Sequence, residues 1–307
     1  MTFLSGLLAA GIFCFLFTHP AHGLAAARYG LTLWFDTLVP TLLPFLMISG
    51  FCIQSGLLEQ LSFVTEKFPD RLRKLSPGGT FALIAGFLCG FPTGAKILGD
   101  LRRNGRISLP EAQCLLHFCN NASPGFVFTY LIHEKLGLSN QILPILLLIY
   151  GIPLFCCGFS LLRALPTVTK ECNAKKASSP QITFGLLDAC IYDACITILK
   201  LGGYIILFSI LTEMLTCLPF FTAKSCAVLT AVLELTSGID RISDAFEMPW
   251  AILAAVPLTV FGGLCTFAQT ISVLKGSGLN AGTYLRARAG MSLLAFAGTA
   301  LWLLFVF

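Results

Sequence analysis

Charged residues are scarce in this chain. Only 11% of its 307 residues are Asp, Glu, Lys or Arg, where a soluble domain carries about 25%. A water-facing surface cannot be built from less than half that share, so a soluble globular domain is excluded. Histidine is rarer still, with four residues: His19, His22, His117 and His133. No Cys-x-x-Cys pair occurs, and the Cys and His residues show no zinc-ligand spacing. The expectation is no metal site, no cofactor and no disulfide framework. The 13 cysteines, Cys14, Cys52, Cys89, Cys156 and Cys157 among them, sit in apolar stretches, where Cys behaves as a small buried hydrophobe.

Enzyme signatures are also missing. Gly90–Ile97 (GFPTGAKI) falls short of a phosphate-binding loop, because Ala95 separates Gly94 from Lys96 and Ile97 stands where Ser or Thr is needed. Leu235–Gly238 lacks the first glycine of an intramembrane serine-protease loop, and Leu98-Gly99-Asp100 lacks the glycine that precedes an intramembrane catalytic aspartate. No enzyme is expected. The basic residues form no continuous patch, so nucleic acid is not an expected partner.

Apolar sequence dominates instead. Hydrophobic residues make up 56% of the chain, and mean hydropathy is +0.84. Thr2–Phe17, Leu38–Ile53, Ile142–Leu162, Leu199–Leu215, Trp250–Ile271 and Met291–Phe307 approach the roughly 17–25 residues that cross a bilayer. The N-terminal run has no basic flank, so it reads as a first transmembrane helix rather than a signal peptide. Pro20–Asp36 and Phe184–Lys200 are amphipathic, and the former is expected to lie in the membrane interface. Basic residues gather between apolar runs: Arg71, Arg73 and Lys74, then Arg102, Arg103 and Arg106. The class that follows is an all-α, polytopic membrane protein. The linker around Lys170, Lys175 and Lys176 and a loop at Lys275–Arg288 suggest cytoplasmic faces.

Some apolar segments are too short to span and are interrupted by Gly and Pro. One breaks at Phe91-Pro92-Thr93-Gly94 and another at Asn120–Gly125; in the second half the breaks fall at Thr236-Ser237-Gly238 and at Gly262–Thr266. Non-helical backbone at membrane depth must line a cavity or be buried in protein, and such pairs of breaks point to a transporter's central site. The organisation expected is a helix at 1–19, a first unit at 20–164, a polar linker at 165–182, a second unit at 183–275 and a last helix at 276–307. The two units read as one inverted repeat with broken or re-entrant helices. Aligning Gly94 with Gly238 also aligns Asp100 with Asp244.

The chemistry expected at the breaks follows from residue type. Pro92 ends a helix, Gly94 permits a turn and Thr93 can cap the next helix. Its free N–H groups would then face an anion or a polar oxygen. Thr236, Ser237 and Gly238 would supply a second such end. Asn120, Asn121 and Ser123, with carbonyls freed by Pro124, offer donors and acceptors. Lys96 and Asp240 lie two residues after Gly94 and Gly238 and are expected to pair near the centre, either structurally or as a gate. Glu234 could take a coupling cation or a hydroxyl, and Thr266 and Gln269 could line the cavity. These residues are the candidate substrate-binding set.

The run GFPTGAKILGDLRRNGRISLPEAQCLLHFCNNASPGFVF, with Gly90–Lys96, Arg102–Arg106, Glu111 and Asn120–Pro124 as its characteristic pieces, resembles the YlbJ-type sporulation integral membrane proteins. Those are grouped with the nucleoside-recognition Gate-domain proteins, and Glu234–Gly238 looks like the family's second signature. The Gate domain is shared, by similarity, with concentrative nucleoside transporters and the FeoB iron transporter. The resemblance implies two Gate-like units and passage of a small polar solute, nucleoside-like among the candidates, in sporulation. The bilayer and the solute are the expected partners, with a coupling ion and a second copy of the chain as further candidates. The competing readings are a non-transporting assembly or signalling factor in spore formation and, with little ligand chemistry to support it, a metal-ion gate.

Overall fold

Short polar caps fix where the helices begin. Ser76 Oγ accepts from Gly79 N (3.0 Å), Ser108 Oγ from Glu111 N (3.3 Å), Thr183 Oγ1 from Leu186 N (3.3 Å) and Thr222 Oγ1 from Ser225 N (3.2 Å). Each satisfies one of the N–H groups a helix start leaves free. Proline in the first turn of the helices at Pro77 and Leu109 loses nothing there.

The computed structural model describes residues 2–57, 75–138, 141–168 and 183–306. Among the described residues the chain is helical and has no strand. In chain order the helices are α1 (Thr2–Thr18), α2 (Pro20–Ser55), α3 (Pro77–Leu88), α4 (Thr93–Arg103), α5 (Leu109–Leu116), α6 (Phe126–Lys135), α7 (Ile142–Ser160), α8 (Phe184–Thr216), α9 (Ala223–Leu233), α10 (Leu235–Ala245), α11 (Trp250–Phe261), α12 (Gly263–Leu274) and α13 (Ala281–Val306). Among the described residues, five stretches are long and apolar enough to cross a membrane: α2, α7, α8, α11 with α12, and α13. The chain is a multi-pass membrane protein. Arg71, Arg73, Lys74 and the linker lysines fall outside the described residues.

Pro20–Asp36 is not a helix of its own. It is the first part of α2, a 36-residue helix, and it packs along α8. A Cβ on Gly30 would come within 2.9 Å of the Ile206 backbone, and Trp34 Nε1 donates to the Ile198 carbonyl at 2.8 Å. Small residues on this face let the backbones close, a contact that lipid cannot replace. Phe184–Lys200 likewise continues into the 33-residue α8, about 50 Å long at 1.5 Å per residue. The expected loop at Lys275–Arg288 is shorter than read, because α13 begins at Ala281.

Two helix pairs fold back on themselves. In the first, Gly78 meets Leu101 and Gly86 meets Gly94, so α3 and α4 run antiparallel with their turn at Cys89–Pro92. In the second, Ala231 meets Gly238 and Lys224 lies over the Phe246 ring, so α9 and α10 do the same about Glu234. Each pair is followed by an interrupted helix, α5 and α6 in one case and α11 and α12 in the other.

Contacts with α8 show that the two pairs approach from opposite ends. Lys96 of α4 bonds Asp193, whereas Arg241 of α10 bonds Glu213. Those α8 residues are about 30 Å apart along the helix. The turns of both pairs therefore point inward, toward each other.

The crossing of α3 with α4 leaves no room for side chains. A Cβ on Gly86 or Gly94 would overlap the Cys119 carbonyl oxygen. Gly94→Ala should abolish the folded protein in detergent. Gly203→Ala should behave as wild type, because a helical Gly203 Cβ meets nothing within 4 Å; size-exclusion profiles after extraction compare the two.

The end of the molecule that carries the base of α3 and α4 also carries Arg102, Arg103, Arg106, Lys275 and Arg286. By the bias of cytoplasmic loops toward Lys and Arg, that end should face the cytoplasm. Green fluorescent protein fused after Asn280 should fluoresce and alkaline phosphatase fused there should be inactive, with the reverse result for fusions after Pro219.

Candidate functional site

The inward turns meet around a cavity of about 130 Å³. Cys89, Gly90 and Phe91 line it from the first turn, and Glu234, Leu235 and Thr236 from the second. The interrupted helices add Ala122 and Ser123 on one side and Cys265, Thr266 and Gln269 on the other. Two scaffold helices close it: α2 with Thr37 and Thr41, and α8 with Ile205. The cavity is smaller than the roughly 300–1,000 Å³ of pockets that hold drug-sized ligands.

Of the residues singled out in the sequence, Ser123, Glu234, Thr236, Thr266 and Gln269 line this space. Gln269 is 4% exposed, and its amide nitrogen finds only the Cys265 sulfur, at 3.4 Å. That leaves an amide with capacity for a polar guest. Ser123 Oγ accepts from Phe126 N at 3.2 Å, and its own proton is free to point elsewhere.

Glu234 differs from expectation. Its carboxylate accepts from Thr236 N (3.0 Å), Ser237 N (2.7 Å) and Ser237 Oγ (2.6 Å). The positive end of α10 is therefore occupied by the protein's own anion, which is how a buried carboxylate is best satisfied. Thr236, Ser237 and Gly238 do not form a vacant anion site. Gly238 packs on the Ala231 backbone, and the Thr236 carbonyl accepts from Tyr130 OH at 3.0 Å.

The start of α4 also departs from the sequence reading. Pro92 is the residue that precedes the helix, and no side chain caps it. Thr93 is fully buried and Gly94 faces the Cys119 carbonyl, so Pro92, Thr93 and Gly94 are packing residues outside the cavity wall.

Lys96 and Asp240 do not pair with each other. Lys96 Nζ donates to Asp100 (2.8 and 2.9 Å) and to Asp193 of α8 (2.6 Å). Asp240 lies 2.6 Å from Lys135 Nζ and accepts from Tyr29 OH at 3.0 Å. That carboxylate holds the Lys135 ammonium above its ordinary value. The separation follows from direction: the two residues lie on helices that leave the centre toward opposite ends.

Asn120 and Asn121 are buried behind the cavity. Asn120 Nδ2 donates to Thr270 Oγ1 (3.1 Å) and to Tyr284 OH (2.9 Å). Asn121 Nδ2 donates to the Phe118 carbonyl (2.6 Å), and its Oδ1 accepts from Arg288 Nη1 (2.8 Å).

Arg288 was read as a loop residue, yet it is 1% exposed. Its guanidinium donates to Asn121 and to the Val260 carbonyl and lies 5.3 Å from the centre of the Phe91 ring. Among the described residues no carboxylate pairs with it. One cation thus joins the first turn, the break after α5 and the break after α11. Glu111 has the matching task at the base of the first pair, accepting from Ser76 N (2.8 Å) and Ser76 Oγ (2.9 Å). Burial pushes its carboxyl up, against the pull of those two bonds.

No family model and no solved structure matches the chain. The sporulation integral membrane protein YlbJ of Bacillus subtilis is 27% identical over 92% of this chain and 79% of its own length. The chain is thus similar to a YlbJ-type membrane protein over most of its length. The wider grouping with Gate-domain proteins rests on the motifs alone.

Removing Arg288 strands two buried acceptors, each worth about 1–3 kcal/mol when unsatisfied. Arg288→Ala should lower the melting temperature in detergent markedly. Arg288→Lys should lower it less, since it keeps one donor and the charge but not the planar fork. Equal stability of both variants and wild type would remove this residue from its central role.

Proposed function

We propose that this protein passes a small polar solute across the membrane in spore formation. The observation that carries the reading is the meeting of two folded-back pairs, approaching from opposite ends, around one cavity lined by both interrupted helices. A polar space at the junction of broken helices is the arrangement in which one part can rock against another to expose the centre alternately. The sporulation context is carried over from the name of the YlbJ relative. The repetition of a folded-back pair followed by an interrupted helix supports two related units of opposite topology.

The cavity's size favours a solute or hydrated ion smaller than a nucleoside. Its polar groups offer donors and acceptors without a lysine or arginine in the wall. The alternative is a membrane assembly factor for spore formation, in which the same cavity is only a packing defect.

Proteoliposome uptake with a panel of amino acids, small organic acids, nucleosides and ions separates the two. The transport reading expects uptake of at least one panel member, reduced at least about ten-fold by Gln269→Ala or Thr266→Val. Tyr192→Ala, on an exposed surface of α8, should leave uptake unchanged. Failure of the whole panel, together with no ligand-dependent gain in melting temperature, would favour the assembly factor.

A further inference from the structure

A cluster of three side chains with metal-ligating atoms lies at the other end of the molecule from the arginine-rich face. His22, in the first turns of α2, stands beside Glu213 and Cys217 at the end of α8. Their ligand atoms all lie within 4.8 Å of one another, and His22 Nδ1 is 2.9 Å from Glu213 Oε1. Glu213 and Cys217 are four residues apart, so they share one helix face. His22 comes from 191 positions away in sequence, which is why no spacing motif reveals the group. The central cavity uses none of the three residues.

We propose that His22, Glu213 and Cys217 form a binding site for a divalent transition metal of the zinc type. One imidazole nitrogen, one carboxylate oxygen and one thiolate are the mixed donor set that zinc accepts and that calcium or magnesium does not. Zinc–ligand bonds of about 2.0–2.3 Å require the three side chains to close slightly around the ion. His22 can do so, because its side chain is 57% exposed. Water completes the coordination.

Arg241 sets the chemical limit. It bonds the other oxygen of Glu213, Oε2, at 3.2 Å, which leaves Oε1 for the ion. Its charge opposes the metal, though Arg241 is itself 37% exposed and solvent weakens that opposition. Arg241 also places the site in register with the second folded-back pair. An ion on Glu213 competes with Arg241 for the same carboxylate, so metal occupancy bears directly on the hold that α8 has on α10.

The full chain in nanodiscs, titrated with Zn²⁺ against a chelating indicator and with Co²⁺ by absorption, tests the site. We expect one Zn²⁺ per chain with micromolar or tighter affinity, measured against a His22→Ala/Cys217→Ser baseline. Each single substitution should weaken binding by about ten-fold or more. The Co²⁺ form should show a near-ultraviolet thiolate charge-transfer band that Cys217→Ser abolishes. Arg241→Ala should bind as tightly as wild type or tighter. The proposal is overturned if Zn²⁺ binding is the same in wild type and the double variant, or if monodisperse Cys217→Ser protein retains the thiolate band.

Discussion

A membrane protein that breaks its helices must answer for the backbone groups it frees. Lipid offers them nothing, and each costs several kcal/mol if left bare. Here the Arg288 guanidinium carries much of that load. It takes the Val260 carbonyl, two residues before the left-handed Gly262 and Gly263 that interrupt the second long span, and the Asn121 amide oxygen beside the other interruption. Its flat face meets Phe91 at the turn between α3 and α4. A buried cation is costly unless its donors are used, and a planar fork with five donors is the side chain best able to serve several acceptors at once. Through Phe91, which lines the cavity, this junction adjoins the cavity wall.

The same economy of space shapes the crossing beneath. The Cys119 carbonyl sits where side chains of Gly86 and Gly94 would be. Three pieces of backbone, from α3, α4 and the segment after α5, meet there with nothing between them. Close approach of this kind replaces the hydrophobic drive that helices lack in lipid. It also explains why the Pro92–Gly94 turn packs inward and yields the cavity wall to Cys89, Gly90 and Phe91.

Much of this was legible in the sequence, though unevenly. The breaks at Pro92, at Asn120–Gly125, at Thr236 and at Gly262 were all visible, because Gly and Pro stand out in apolar runs whatever the tertiary fold. Which residues of each break face the cavity was not visible. Thr93 and Thr236 read alike as possible caps, but only Thr236 reaches the wall, and Glu234 takes the capping role itself. Helix continuity is hard to read in two places: the sequence divides α2 at Asp36, and it sets a loop at Lys275–Arg288 before the apolar span at Met291, where α13 is already helical from Ala281. The second hides Arg288, since an arginine near a predicted helix end reads as a headgroup contact. Partnerships between distant segments were beyond reach. Lys96 and Asp240 occupy matching places, and nothing local tells that their helices leave the centre in opposite directions.

That divergence bears on how a cavity between two folded-back pairs could open. Each pair is tied to the scaffold by charge on its own side of the centre: Lys96 to Asp193 on one, Asp240 to Lys135 and Tyr29 on the other. An ion pair kept from water resists separation, whereas a hydrated one is worth only about 0–1 kcal/mol. Water that reaches one tie from its own end loosens that tie first. On the transport reading, hydration from one end therefore selects which pair is free to move, and the cavity can open to one side while the other tie holds. Lys96 and Asp193 are 7% and 53% exposed, and Lys135 and Asp240 are 23% and 30% exposed, so both ties already meet water and both can be loosened from their own end.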